Sequence, residues 1–407
     1  MTAMEPPLPL EDAQSRLLAL ARHGTVERVD IEGALGRYLA EDLLALRTQP
    51  AADLSAMDGY AVRASDACGP WTIAGESAAG HPHDAPVGAG QAIRIATGAL
   101  IPDGAGSVIL QEDIVRDGQT ISLAGLGPSP PAKHIRRKGL DFQTGDTVLT
   151  AGARIGAAQS ALAISAGHAH LPVYRVPRVA IIDSGDELSK RPNHCALHEI
   201  PASNGAMLLA MVRSLPCDAR NIGPIPDSLN ALSDVFAQAT DCDIVVTSGG
   251  ASVGDHDLVR PALEAIGAKI DFWRIAIKPG KPLLVATREI GQKRQIILGL
   301  PGNPVSSHVT AFLFLLPLIR AWLGAADPKP KRLLTALAAP VKANGYRREF
   351  LRGKWDGEAV TAQTIQDSGA LASLANSNVL IDRPAGAPEG RAGDSAHVFL
   401  IRNGGFT

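Results

Sequence analysis

Asp243-Ile244-Val245-Val246-Thr247 passes directly into Ser248-Gly249-Gly250-Ala251-Ser252-Val253-Gly254-Asp255-His256-Asp257. The first half reads as a buried strand. In the second half, Gly249, Gly250 and Gly254 let bare backbone N–H groups approach an anion closely, and Ser248 and Ser252 add hydroxyls. Asp255 and Asp257 offer hard oxygens to a divalent cation. A strand ending in such a loop is where open α/β sheets bind ligands. A tight turn capped by acids would account for one or two glycines, but not for the whole run. A phosphate-bearing ligand with a metal is the first expectation.

Outward from that stretch, residues 178–324 alternate strand and helix signals. Strands are expected at 179–183, 219–222, 243–247 and 296–299. Helices are expected at 204–214 behind Ser203, at 229–239 behind Ser228, at 258–266, and from Asn303 onward. Such alternation predicts a parallel sheet covered on both faces. Earlier, 71–123 breaks into short β-rich runs between Gly/Pro turns, a β domain inserted into a helical one. After the linker Asp327-Pro328-Lys329-Pro330-Lys331, the tail alternates strands and turns. The fold class expected is therefore α/β and β multidomain. A helical or mixed N-terminal domain (1–46 plus 140–177) is interrupted by a β domain (47–139), then followed by the α/β domain (178–326) and a C-terminal β domain (327–407).

The chain has 407 residues and a formal charge of −2, with a pI near 6.6. No basic field points to nucleic acid or an anionic membrane. The apolar run at 309–322 is short and carries Pro317, which argues against a membrane span. The N-terminus does not read as a signal peptide. Cys68, Cys195, Cys217 and Cys242 form no C-x-x-C pair, so a disulfide framework or zinc site is not expected and a reducing cytoplasm fits.

The unusual loops fall just beyond the expected strands. Ser184-Gly185-Asp186-Glu187 follows the first, Asp227 closes the loop after the second, and the glycine-rich loop follows the third. Lys278-Pro279-Gly280-Lys281-Pro282 follows a run ending at Ile277, and Leu300-Pro301-Gly302-Asn303-Pro304-Val305-Ser306 opens a helix. Parallel strands would gather all five at one edge. Lys278 and Lys281 suit an oxyanion, though lone surface lysines would be the commoner reading of either. Asn303 can cap a helix whose N–H groups face an anion. Asp186, Glu187, Asp227, Asp255 and Asp257 are hard ligands suited to Mg²⁺, and Asp186 or Asp227 could be purely structural. Elsewhere, Asp58 sits between Met57 and a Gly-Tyr turn, Thr97-Gly98 ends a strand, and Asp141 follows the basic run Arg136-Arg137-Lys138. The pairs His81/His83 and His168/His170 lack a third ligand, which disfavours a metal site.

Together these stretches resemble the molybdopterin molybdenumtransferase family, the MoeA proteins and the gephyrin E domain. The matches are Ser55-Ala56-Met57-Asp58-Gly59-Tyr60-Ala61, Ile95-Ala96-Thr97-Gly98-Ala99, Ser184 to Leu188, Ser248 to Asp257, Lys278 to Pro282 and Leu300 to Ser306, in the family's order. The resemblance implies a molybdopterin-binding α/β domain and insertion of molybdate into adenylylated molybdopterin, with Mg²⁺ and release of AMP. It also implies a cytoplasmic homodimer whose cleft is shared between subunits, working with other proteins of molybdenum cofactor synthesis, without nucleic acid or membrane. Catalytic positions carried over are Asp58, Asp186, Glu187, Asp227, Asp257 and Lys278, with Glu187, Asp227, Asp255 and Asp257 as metal ligands. Substrate positions are Thr97, Asp141, Ser184, Gly185, Ser248, Gly249, Gly250, Ser252, Gly254, Arg274, Lys281, Pro301, Gly302, Asn303, Pro304 and Ser306. The chain departs from the pattern at Ser184, Gly106 and Ala251, where Thr, Asp and Val are common, and Arg274 stands near a position where some members use Lys. Rival readings are a molybdopterin adenylyltransferase, which would not need the flanking β domains, and a non-catalytic scaffold, which would not need the acidic and lysine loops.

Overall fold

The computed structural model describes residues 6–66, 68–249 and 258–401. By compactness the chain divides into two units. One comprises 1–40, 151–155 and 172–407; the other comprises 41–150 and 156–171.

The second unit is built on a six-stranded sheet and carries the helix α2 (Ala157–Ser165). Its strands are β1 (Gly59–Val62), β2 (Trp71–Ser77), β3 (Gln91–Ile95), β4 (Ser107–Leu110), β5 (Ile114–Asp117) and β6 (Thr120–Leu123), in the order β4-β1-β3-β2-β6-β5. Alternation sends Ala61, Ile93, Ile95 and Val108 to one core and Tyr60, Val62, Ala92 and Ile109 to another. Gly106 packs so tightly that a Cβ there would lie 2.9 Å from the Ala64 Cβ, which leaves no room for a side chain unless Ala64 shifts. Met57 is 38% exposed.

The first unit opens with α1 (Leu10–Leu20). Its main sheet contains β7 (Arg178–Ser184), β8 (Asp218–Ile225), β9 (Ile244–Ser248), β10 (Lys269–Trp273), β12 (Leu284–Ile290) and β13 (Lys293–Leu300), in the order β8-β7-β9-β13-β12-β10. The first four strands pair in parallel, as the alternation predicts. The expectation of a wholly parallel sheet needs correction, because β12 runs antiparallel to β13 and β10 antiparallel to β12. The reversal is a hairpin turning at Gly291, whose φ of 60° suits a two-residue turn.

The two faces of this sheet divide cleanly. Val179, Ile181, Ile244, Val246, Ile296 and Leu298 point to α1, α3 (Asn204–Val212) and the long C-terminal helix of the domain. Ala180, Ile182, Val245 and Ile297 point to α4 (Leu229–Gln238) and α5 (Val259–Ala265). Ser228 caps α4 by accepting from Ala231 N at 3.2 Å. Ser203 holds the N-cap position of α3 without a side-chain cap bond.

The run that Pro317 should break is instead one helix, α6 (Pro304–Trp322), 19 residues long with a mean hydropathy of 1.4. By length and composition it could cross a membrane; 89% of that stretch is buried within the protein, as a core helix would be. A π-turn at Ala311–Leu315 precedes the proline. Pro317 cannot donate to the Leu313 carbonyl one turn back, and Gln14 of α1 donates to it instead at 2.8 Å.

The tail supplies β14 (Arg332–Leu337), β15 (Arg348–Trp355), β16 (Ala359–Ala362), β17 (Val379–Arg383) and β18 (Ser395–Leu400). A sixth strand, β11 (Ile277–Lys278), comes from the middle of the α/β domain and pairs in parallel with β15. The order is β11-β15-β16-β14-β18-β17, and a further β15–β17 pairing closes a barrel. Phe350, Leu380, Phe399 and Ile401 of this barrel share one core with α1 and α6.

Candidate functional site

Four loops and a helix start converge at the carboxyl ends of the parallel strands. Ser184 Oγ donates to Asp227 Oδ1, and Asp227 N donates to Asp186 Oδ1 at 3.0 Å, so the loops after β7 and β8 are knitted together. Gly249 N reaches the Leu300 carbonyl at 3.3 Å, joining the loops after β9 and β13. Asn204, the first residue of α3, donates through Nδ2 to Ser248 Oγ at 2.9 Å and to the Gly302 carbonyl at 2.6 Å. Gly249 has φ of 99°, and a Cβ on it would sit 2.4 Å from the Ser184 carbonyl. Only glycine lets these two backbones meet.

The structure thus brings together Ser184, Gly185, Asp186, Glu187, Asp227, Ser248, Gly249, Pro301 and Gly302. Glu187 is exposed, and its carboxylate folds back over Gly185. Gly250, Ser252, Gly254, Asp255 and Asp257 lie outside the described residues. Among the described residues no three His, Cys, Asp or Glu side chains form a metal-binding group. Of the expected ligands, Glu187 and Asp227 alone are placed. They are exposed carboxylates on joined loops, a donor set that suits Mg²⁺ retaining much of its water.

Asn303 occupies the N-cap position of α6, but its side chain makes no cap bond, and Pro304 at N1 has no N–H to satisfy. The first free N–H, Val305, is taken by the Ser368 carbonyl at 3.0 Å. The expectation of a capping Asn303 with open N–H groups is corrected accordingly.

The lysine loop differs from expectation in origin. It does not follow a strand of the α/β sheet but extends β11, which belongs to the barrel. Gly280 packs against Thr310 of α6, where a Cβ would come within 2.6 Å of Cγ2. Lys278, Lys281 and Ser306 thereby line a cavity of about 330 Å³ with Arg347, Glu349, Gln366, Asp367 and Ser368 of the barrel. Lys278 Nζ lies 2.6 Å from Glu349 Oε1. Lys281 and Arg347 have no carboxylate partner among the described residues, so the cavity keeps a cationic surplus of three against two. Arg274 stands after β10 with φ of 131°, a backbone region that costs a side-chain-bearing residue about 1–3 kcal/mol. Its backbone is fixed by bonds with Leu8 and Leu283.

In the second unit, Asp58 and Thr97 meet. The Thr97 N donates to Asp58 Oδ1 at 2.6 Å, and this bond holds the Asp58 carboxyl below its ordinary pKa. Asp141 is exposed, and the neighbouring basic run turns to Asp53, which pairs with Arg137 and accepts from Lys138 N.

Sequence reasoning missed Asp183, Asn204, Arg347 and Ser368. Asp183, next to last in β7, is 1% exposed; one oxygen accepts from Gly205 N at 2.7 Å, the other has no partner, and burial raises its pKa. The Ser203-Asn204-Gly205 start of α3 was the available signal, since Gly205 leaves no space for a Cβ between Asp183 and Asn221.

Comparisons with known proteins agree along the chain. Residues 8–167 match the MoeA N-terminal region (domains I and II), 180–321 a probable molybdopterin binding domain, and 335–401 the MoeA C-terminal region (domain IV). A molybdopterin molybdenumtransferase of Haemophilus influenzae is 36% identical, over 85% of each chain. One from Bacillus subtilis is 31% identical over 97% of this chain and 94% of its own. The crystal structure of a molybdopterin biosynthesis MoeA protein from Pyrococcus horikoshii superposes with a TM-score of 0.83 at 27% identity, covering 97% of this chain and all of that one. Sequence and fold agree along the chain, and the chain belongs to the molybdopterin molybdenumtransferase (MoeA) family.

Proposed function

We propose that this protein inserts molybdenum from molybdate into adenylylated molybdopterin, with hydrolysis of the adenylyl bond and release of AMP. The observation that carries this reading is the joining of two unlike sites through the first turn of α6. One is a hydroxyl- and carboxylate-bearing crevice at the strand ends; the other is the cationic cavity beside Ser306. The crevice suits a pyrophosphate, whose oxygens want backbone N–H groups and hydroxyls. The cavity suits a tetrahedral dianion, which Lys278, Lys281 and Arg347 would hold by charge and hydrogen bonds. No protein thiol is required, because the metal's new sulfur ligands belong to the pterin.

Mg²⁺ would be held by Glu187 and Asp227, together with Asp255 or Asp257, and would supply charge neutralisation to the pyrophosphate. Ser184 would orient Asp227, and Asn204 would hold Ser248 toward the phosphates. As part of the same proposal, the protein works as a cytoplasmic homodimer, with Asp58, Thr97 and Asp141 of the partner subunit completing the cleft. Its partners would be other enzymes of cofactor synthesis rather than nucleic acid or membrane.

The test incubates the purified chain with adenylylated molybdopterin, Mg²⁺ and molybdate. AMP should appear together with pterin-bound molybdenum. Consumption of ATP without molybdate uptake would instead favour an adenylyltransferase. In Lys278→Ala the KM for molybdate should rise roughly tenfold or more, as expected on losing a charge-assisted contact.

A further inference from the structure

Arg352, on β15, has no exposed surface, and none of its hydrogen-bond partners is a carboxylate. A buried guanidinium without a counter-ion in contact is costly, so its retention calls for a reason. Its bonds supply one. Nη2 donates to the carbonyls of Ile365 at 2.9 Å and Asp367 at 3.0 Å, while Nε donates to Ser373 Oγ at 3.1 Å. Ser373 Oγ in turn donates to the Ile365 carbonyl at 2.7 Å. Gln366 grips the same arginine's backbone from both sides, accepting from its N at 3.0 Å and donating to its carbonyl at 2.9 Å.

These contacts fix the segment 365–368, directly or through Ser373. That segment contributes Gln366, Asp367 and Ser368 to the wall of the cationic cavity, and its Ser368 carbonyl occupies the first free N–H of α6 beside Ser306. The wall therefore stands where Arg352 holds it, from behind and out of the ligand's reach. Nη1 is buried without an acceptor, so the residue leaves a polar group unsatisfied while clamping two carbonyls. A purely apolar barrel core would have filled this position at lower cost.

We infer that Arg352 is a positioning residue for the oxyanion cavity: it sets the spacing between the 365–368 wall and the Lys278–Ser306 side, and thereby the affinity for molybdate. This rests on the oxyanion reading of the cavity given above.

The test measures molybdate binding to the full-length protein by calorimetry, alongside KM and kcat for molybdate and thermal unfolding. Arg352→Met should weaken binding about tenfold and raise KM to match, with kcat at saturating molybdate within about twofold of wild type. Arg352→Lys, which can reach one carbonyl but not fork between two, should fall between Met and wild type. Ser373→Ala lies outside the cavity and should weaken binding about threefold through the lost clasp. Where Arg352→Met fails to fold, the Ser373→Ala result decides. Unchanged affinity in a folded variant, or a fall in kcat at constant KM, overturns the inference while the cavity reading stands. Wild-type protein that binds no molybdate overturns both.

Discussion

Two buried titratable side chains respond to pH in opposite senses. Burial raises the pKa of Asp183, so the native state favours its neutral form. Its contribution is complete below the unfolded carboxyl value of 3.8 and is lost as pH rises through the native value. Asp183→Asn keeps the acceptor for Gly205 N without the charge. We expect it to raise Tm at neutral pH, with the gain shrinking toward pH 4. His308, 6% exposed, is pushed by burial from 6.5 down to about 4. Its contribution is present above 6.5 and lost as pH falls toward 4, amounting to at most about 3 kcal/mol. Urea unfolding between pH 7 and 4 should show that loss in wild type and not in His308→Gln. At Gly249, replacement by Ala should abolish activity and destabilise the protein by about 1–3 kcal/mol, because both φ and the Ser184 carbonyl oppose a side chain. Activity that survives in a folded Gly249→Ala protein would contradict the close packing of the two loops.

Among elements, α6 offers a direct check on how a proline survives inside a helix. Gln14→Leu should cost about 1–3 kcal/mol, since it strands the Leu313 carbonyl in the core. In a Pro317→Ala background the restored N–H can satisfy that carbonyl, so the same substitution should cost clearly less. A double-mutant cycle showing strict additivity would refute the substitution of one donor for another. The contrast also explains what could be read from sequence. Strands β7, β9 and β13 announce themselves because continuous Val/Ile runs are needed where both faces are covered. The loops at 184–187, 248–249 and 300–302 were legible because glycines and hydroxyls bunch locally. The β12–β13 hairpin was hidden, its two strands being ordinary and its two-residue turn marked by one glycine. Pro317 misled because its missing donor is replaced by a residue 303 positions away in a different helix. Arg347 and Ser368 escaped notice for the same reason: their role comes from distant contacts with the lysine loop and α6, not from neighbours in sequence.

For the molecule as a whole, the continuity of the core across the α/β domain and the barrel matters most. Phe350, Phe399 and Ile401 are part of the same buried cluster as Leu313, Leu316 and Ile319 of α6 and Leu10 of α1. A chain ending at residue 326 should therefore expose a large apolar face and aggregate or lose cooperative unfolding, even though the linker at 327–331 suggests a clean cut. Calorimetry of that truncated chain, against a single shared transition for the barrel and α/β sheet in wild type, checks the point.

Strand β11 leaves the α/β domain between β10 and β12 to join the barrel edge, and it carries the lysine loop with it. Anyone exchanging tails between relatives should then treat 274–283 and 327–401 as one inheritance. A chimera that swaps only the latter would mate a foreign edge to the resident lysines and mismatch their grip on the anion.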